Sequence, residues 1–198
     1  MGLDLDNTNG RTPLEEEEKE GLLLKSISTR GELDEFEQLN IEKAVAWSLG
    51  RKFTRETILT EDFVKDLHRR MYSEVWKWAG EFRTTNKNIG ADKHEIGIEL
   101  KKLLDDVSFW IENTSFPADE IAIRFSHRIV SIHCFSNGNG RHSRLIADII
   151  VSRVLDRSVF SWGSANLTSR GDARAAYLAA IHEADQGNIT PLIAFARS

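Results

Sequence analysis

The sequence holds one cysteine, three prolines and no long apolar run, and each shortage removes a class of protein. Cys134 alone cannot form an internal disulfide, so the fold relies on no cross-link and a reducing, cytoplasmic setting is expected. The longest apolar stretch, Ile146 to Val151, carries Asp148 inside it and falls far short of the roughly 20 residues that span a bilayer. Met1 to Asp6 offers neither a basic n-region nor an apolar h-region, so no secretory leader and no membrane attachment are expected. A basic excess is missing too. With 26 Lys and Arg against 31 Asp and Glu, the net charge is −5, which argues against wrapping nucleic acid as the main activity. It leaves room for a local anion site.

What is present reads as globular. Hydrophobic residues make up 40% and charged residues 29% of 198 positions, a composition able to bury a self-sufficient core in one domain, with or without a small appendage. Residues 1–12 show no hydrophobic period and read as an arm. Thr12, Pro13 and Glu15 then form a helix start with a capping box, followed by acids matched to the helix dipole.

Helical periodicity dominates the remainder. Helices are predicted over 33–50, over 61–76 behind a cap at Thr60, and over 97–112, where Leu100, Leu103, Leu104, Val107 and Ile111 share a face. Two more run from Pro117 to about Ile132 and from about Gly140 to Leu155. A last pair, 170–186 and 190–197, is split at Gly187-Asn188. Only Trp78 to Glu95 refuses the pattern. Gly80 and Gly90 break it, and Phe82, Thr84, Thr85 and Ile89 tolerate strand, so a short β-hairpin or irregular flap is predicted. The fold class is all-α with one small β element.

The informative segment is His133-Cys134-Phe135-Ser136-Asn137-Gly138-Asn139-Gly140-Arg141-His142-Ser143-Arg144, a loop feeding a helix N-terminus. Gly138 and Gly140 permit positive φ and let backbone N–H groups converge, as a phosphate requires. Arg141 and Arg144 can fork onto phosphate oxygens. No acid occurs from 121 to 147, which concentrates positive potential here, and His133 has the proton affinity of a general base. Cys134 beside His133 raises Cys–His nucleophilic catalysis as a rival, but chain neighbours rarely aim their side chains at each other and no third group orients them. The histidines at 68, 94, 127, 133, 142 and 182 lack the spacing of a zinc site.

At these residues the chain resembles the Fic (Fic/Doc) family. The signature runs His, any residue, Phe, any residue, an acid, Gly-Asn-Gly-Arg, two residues and Arg; here it reads HCFSNGNGRHSR, with Asn137 in place of the acid. Trp78-Ala79-Gly80 with Arg83 is similar to the segment that opens the family's flap. The likeness covers roughly residues 33–190. The stretches TPL…EGLL and TRGELDEFEQLNI resemble the subgroup called mobile mystery protein B.

The resemblance implies a Fic-type helical bundle (33–198) with a β-hairpin flap over the active-site loop, preceded by an N-terminal region (1–32) that could be inhibitory. It implies transfer of AMP from ATP onto a Ser, Thr or Tyr hydroxyl of a target protein, with His133 as base. Gly138, Asn139 and Gly140 would hold phosphates through backbone N–H groups and the Asn139 amide. Arg141 would meet the β-phosphate and Arg144 the γ-phosphate. Asn137 would stand at the Mg²⁺ ligand position, without the charge that attracts a hard cation. Thr84, Thr85 and Ile89 would dock an extended target segment. Ser28 and Glu32 approach the spacing of the family's inhibitory helix, so Glu32 is expected to pair with Arg144. Transfer of another phosphate-containing group stays open. So does a non-catalytic nucleotide-binding role in a two-gene module, toxin–antitoxin-like, with a helix-turn-helix partner.

Overall fold

Thr29, Thr54 and Thr60 open the first three helices by one device: each hydroxyl accepts a hydrogen bond from the backbone N–H three residues on, satisfying a donor the helix itself leaves free. The computed structural model describes residues 21–164 and 172–198; the expected arm and the expected helix from Thr12 lie outside them. The helices are α1 (Arg30–Leu49), α2 (Arg55–Ile58), α3 (Glu61–Tyr72), α4 (Ile96–Glu112), α5 (Ala118–Ile132), α6 (Asn139–Arg153), α7 (Asp172–Asp185) and α8 (Thr190–Arg197), with a 3-10 turn at Trp162–Ser164.

The α5–α6 pair forms the centre, with α4 against α5, α3 and α1 on the other side, and α7–α8 closing the C-terminal end. Phe125, Ile129, Ile146 and Ile150 are buried between them, each contributing about 1.5–3 kcal/mol of transfer free energy. The boundary expected at 32/33 falls inside α1. Leu22 and Ile27, ahead of that helix, are also buried in the core, and Leu23 N–H donates to the Val75 carbonyl at 2.9 Å.

The flap takes the irregular form. No strand occurs between Trp78 and Glu95; among the described residues the isolated bridge is Leu22 with Trp76. A hairpin would pair the two flap arms with each other, but here both ends are paired elsewhere. Arg83 N–H donates to the Cys134 carbonyl at 3.0 Å, and Ala91 N–H to the Ile132 carbonyl at 3.1 Å. Inside the flap, Asn86 bonds the Asp92 carboxylate and the Lys93 N–H, both at 2.8 Å.

Candidate active site

Helix α5 stops because His133 turns left-handed, at φ 58° and ψ 58°, a conformation rare for a residue with a Cβ. The chain then crosses to α6, whose N-cap is Gly138 at φ 77°. Only glycine fits there: a Cβ would lie 2.5 Å from the Tyr72 ring. The N-terminus of α6 has no side-chain cap and no acid in its first turn. His142 N–H makes the first bond back, to the Gly138 carbonyl at 2.9 Å. The N–H groups of Asn139, Gly140 and Arg141 are thus left as donors at the positive end of the helix, the geometry of an anion site.

The loop is held from inside. Phe135 is buried and stacks on the His68 ring with centroids 3.7 Å apart. Gly80 N–H donates to His68 Nδ1 at 3.0 Å, so Nε2 carries the proton and donates to the Asn137 carbonyl at 3.1 Å. Burial, reinforced by His142, pushes the His68 pKa down to about 2. Asn139 departs from its expected role. Its Oδ1 accepts from Phe135 N–H at 2.9 Å and its Nδ2 donates to the Phe135 carbonyl at 2.8 Å, so the amide clasps the loop while its backbone N–H remains for a ligand.

His133 itself is partly enclosed. Its Nδ1 is buried without a hydrogen bond of good geometry, close enough to the Val130 carbonyl to gain slightly from it; Nε2 is the accessible nitrogen. Burial first, then the charges of Arg83 and Lys87, lower its pKa from the ordinary imidazole value. The ring is therefore a neutral base at neutral pH. Cys134 is buried and its thiol is pushed up to about 12, which keeps it protonated and removes the Cys–His alternative.

The two arginines differ. Arg141 Nη2 donates to Glu37 Oε2 at 2.5 Å, and Glu37, 2% exposed, also accepts from Trp76 Nε1 at 2.6 Å. Arg144 lies 5.5 Å from the Tyr177 ring centroid and has no hydrogen bond or ion pair among the described residues. Glu32 does not reach it. Glu32 Oε2 accepts from Ser28 N–H at 2.9 Å, Ser28 Oγ at 3.1 Å and Thr29 N–H at 3.1 Å, closing the capping box of α1. The acid that meets the motif is Glu37, five residues further along α1, and it meets Arg141.

The donors present do not make a magnesium cage. Asn137 is neutral, its Oδ1 accepts from Gly138 N–H at 2.7 Å, and no three His, Cys, Asp or Glu side chains converge among the described residues. A Mg²⁺ ion would depend on a nucleotide's phosphates. Thr84, Thr85 and Ile89 are exposed on the flap, although the Thr85 carbonyl already accepts from Arg83 Nη1 at 2.9 Å. His68, Tyr72, Arg83 and Glu37 complete the site and were not assigned roles from sequence; His68 and Tyr72, four apart on the apolar stripe of α3, are the polar signal there. No helix among the described residues is long and apolar enough to cross a membrane.

Residues 58–151 match the model of the Fic/DOC family. The chain is 27% identical over 139 residues to protein adenylyltransferase fic-1 of Caenorhabditis elegans, covering 68% of this chain and 26% of that protein. It thus spans about a quarter of that curated relative. Among solved structures, a C. elegans Fic-1 fragment superposes with a TM-score of 0.65 at 21% identity, over 90% of this chain and 51% of that one. BepC of Bartonella tribocorum, with bound AMPPNP, gives 0.63 at 16% identity, over 90% and 95%. The matched stretch runs from the end of α2 into the last turn of α6, and so contains the loop, most of its two flanking helices and the flap: residues 58–151 of this chain are similar to a Fic/DOC-family domain.

Proposed function

We propose that the chain is a Fic-type transferase that moves AMP from ATP onto a Ser, Thr or Tyr hydroxyl of a target protein. One observation carries the reading: an accessible, neutral imidazole nitrogen of His133 stands at the entrance of a loop that ends in an uncapped helix N-terminus. The acceptor oxygen attacks the α-phosphorus while its proton passes to His133 Nε2. The bond between the α-phosphorus and the bridging oxygen to the β-phosphate breaks, and pyrophosphate leaves. Backbone N–H groups of residues 139–141 hold the phosphates, and Arg144 supplies an uncommitted guanidinium for the terminal one. The adenylyltransferase name of the C. elegans relative and the AMPPNP in BepC support the choice of nucleotide and reaction. A helix-turn-helix partner, implied by the subgroup resemblance, would act in trans.

Asn137 and the Glu37–Arg141 pair favour a second reading, a nucleotide-binding regulator without turnover. ATP labelled separately on the α- and γ-phosphates distinguishes them. Label from the α-position on protein, and none from the γ-position, is the expected result. γ-Label on protein means phosphotransfer, and binding without either label gives the regulator.

A further inference from the structure

We propose that Arg83 is a positioning residue for the transfer, its buried guanidinium tying both ends of the 84–92 flap to the backbone carbonyl of His133. The inference rests on the proposed function for what is being positioned. Arg83 is 3% exposed and has no acidic partner among the described residues, a costly state for a cation unless every donor finds an acceptor. Here the acceptors are carbonyls. Nε donates to His133 O at 2.6 Å, Nη1 to Thr85 O at 2.9 Å, and Nη2 to Ala91 O.

The geometry of these three acceptors is informative. Thr85 and Ala91 are the two arms of the flap, and His133 is the base. Two backbone bonds, Arg83 N–H to Cys134 O and Ala91 N–H to Ile132 O, flank the same junction. The left-handed turn at His133 sets the direction of the carbonyl that Nε receives. Gly90 closes the arrangement from above: a Cβ there would lie 2.7 Å from the His133 Cβ and 2.9 Å from Arg83 Nη2. The flap backbone therefore touches both the base and its anchor.

The flap contributes little to the core. Residues 84 to 90 are all exposed, so fixing them adds small burial and chiefly defines where they stand. A platform for an acceptor segment that is rigidly referenced to the base restricts the hydroxyl to poses from which its proton can reach Nε2. Misplacement of about 1 Å costs on the order of 10²-fold in rate. Burial does most to lower the ring's proton affinity, and the charges of Arg83 and Lys87 add to it, so Arg83 also favours the unprotonated nitrogen.

Arg83→Lys keeps the charge and removes the fork, Arg83→Gln removes both, and Gly90→Ala disturbs the junction from the flap side with Arg83 intact. Hydrogen exchange, transfer kinetics and the titration of the His133 ring are measured on each full-length chain. In Arg83→Lys, the hydrogen-bonded amides of the flap junction, those of residue 83 and Ala91, should exchange about tenfold faster while α5 and α6 stay within about twofold. The kcat should drop on the order of 10²-fold with KM for ATP within about threefold. Ring titration should stay low in Arg83→Lys and rise in Arg83→Gln. Gly90→Ala should reproduce the exchange and kcat pattern, and it decides the matter if the Arg83 variants do not fold. Unchanged flap exchange, equal loosening of α5 and α6, or a KM effect with kcat intact overturns the proposal. If the wild type transfers from no donor, the proposed function falls, and exchange and titration still decide the role of Arg83.

Discussion

A buried carboxylate and a half-buried guanidinium hold each other in place only while both are charged, and Glu37 and Arg141 are such a pair beside the phosphate loop. Removing one partner leaves the other uncompensated, at about 3–5 kcal/mol. Glu37→Gln keeps an acceptor for Trp76 Nε1 but strips the charge, so the ligand-free protein should lose stability by about that amount. The phosphates of ATP would then supply the missing negative charge. Nucleotide should bind more tightly than in wild type and restore more of the melting temperature, as read by calorimetry with and without ATP. Glu32→Gly removes the carboxylate half of the capping box; it should weaken the start of α1 and leave nucleotide affinity unchanged. Equal affinity in Glu37→Gln and wild type would show that Arg141 does not meet the ligand. These two acids sit five positions apart in sequence, and their different roles follow from what faces them: Glu32 folds back on Ser28 and Thr29, whereas Glu37 points at a residue 104 positions away.

Within α6 the two glycines of the loop make separable demands. Gly138 needs its left-handed backbone and the space taken by Tyr72. Gly140 has an ordinary helical backbone, and a Cβ there would meet only Arg144 Nη1 at 3.7 Å. Gly140→Ala should therefore stabilise the fold by up to about 1 kcal/mol through helix propensity, yet weaken nucleotide binding, because the methyl occupies the face beneath Arg144 that a phosphate approaches. Urea unfolding and nucleotide titration on one variant test both halves; unchanged affinity would move the phosphate away from this face. The helices that carry the loop were readable in advance because each has an apolar stripe of several turns, as in α6 with Ile146, Ile149 and Ile150. Helix α2 and the turn at Trp162–Ser164 were not, since four and three residues are too short to show a period. The flap's strand-tolerant residues suggested a hairpin, but strand propensity says nothing about which partner the backbone takes, and here that partner is the 132–134 turn.

For the molecule as a whole, buried neutral histidines make the fold sensitive to acid. Burial holds His68 down to about 2 and His142 down to about 4, while in the unfolded chain each takes a proton near 6.5. As pH falls below 6.5 the unfolded state gains protons the folded state refuses, so stability decreases, at about 1.4 kcal/mol per pH unit for each group. Asp148 works in the opposite sense, because burial raises its pKa to about 6 and the folded state then binds the extra proton. The net expectation is a loss of about one histidine's share per unit between pH 6 and 4, measurable by urea unfolding; stability that is flat or rising on acidification would mean these rings are not held neutral. The long-range contacts behind this, His68 to Asn137 and Arg83 to His133, span 69 and 50 residues. Local periodicity cannot report such separations, whereas the loop from His133 to Arg144 was legible because its chemistry lies within three helical turns of sequence. The most direct test of that loop's assigned chemistry is a paired measurement on wild type and His133→Ala, recording nucleotide dissociation constant and rate of α-label transfer to protein. In His133→Ala, transfer should fall on the order of 10²–10⁴-fold with affinity nearly unchanged; a folded variant that keeps most of its transfer rate would mean that His133 is not the base.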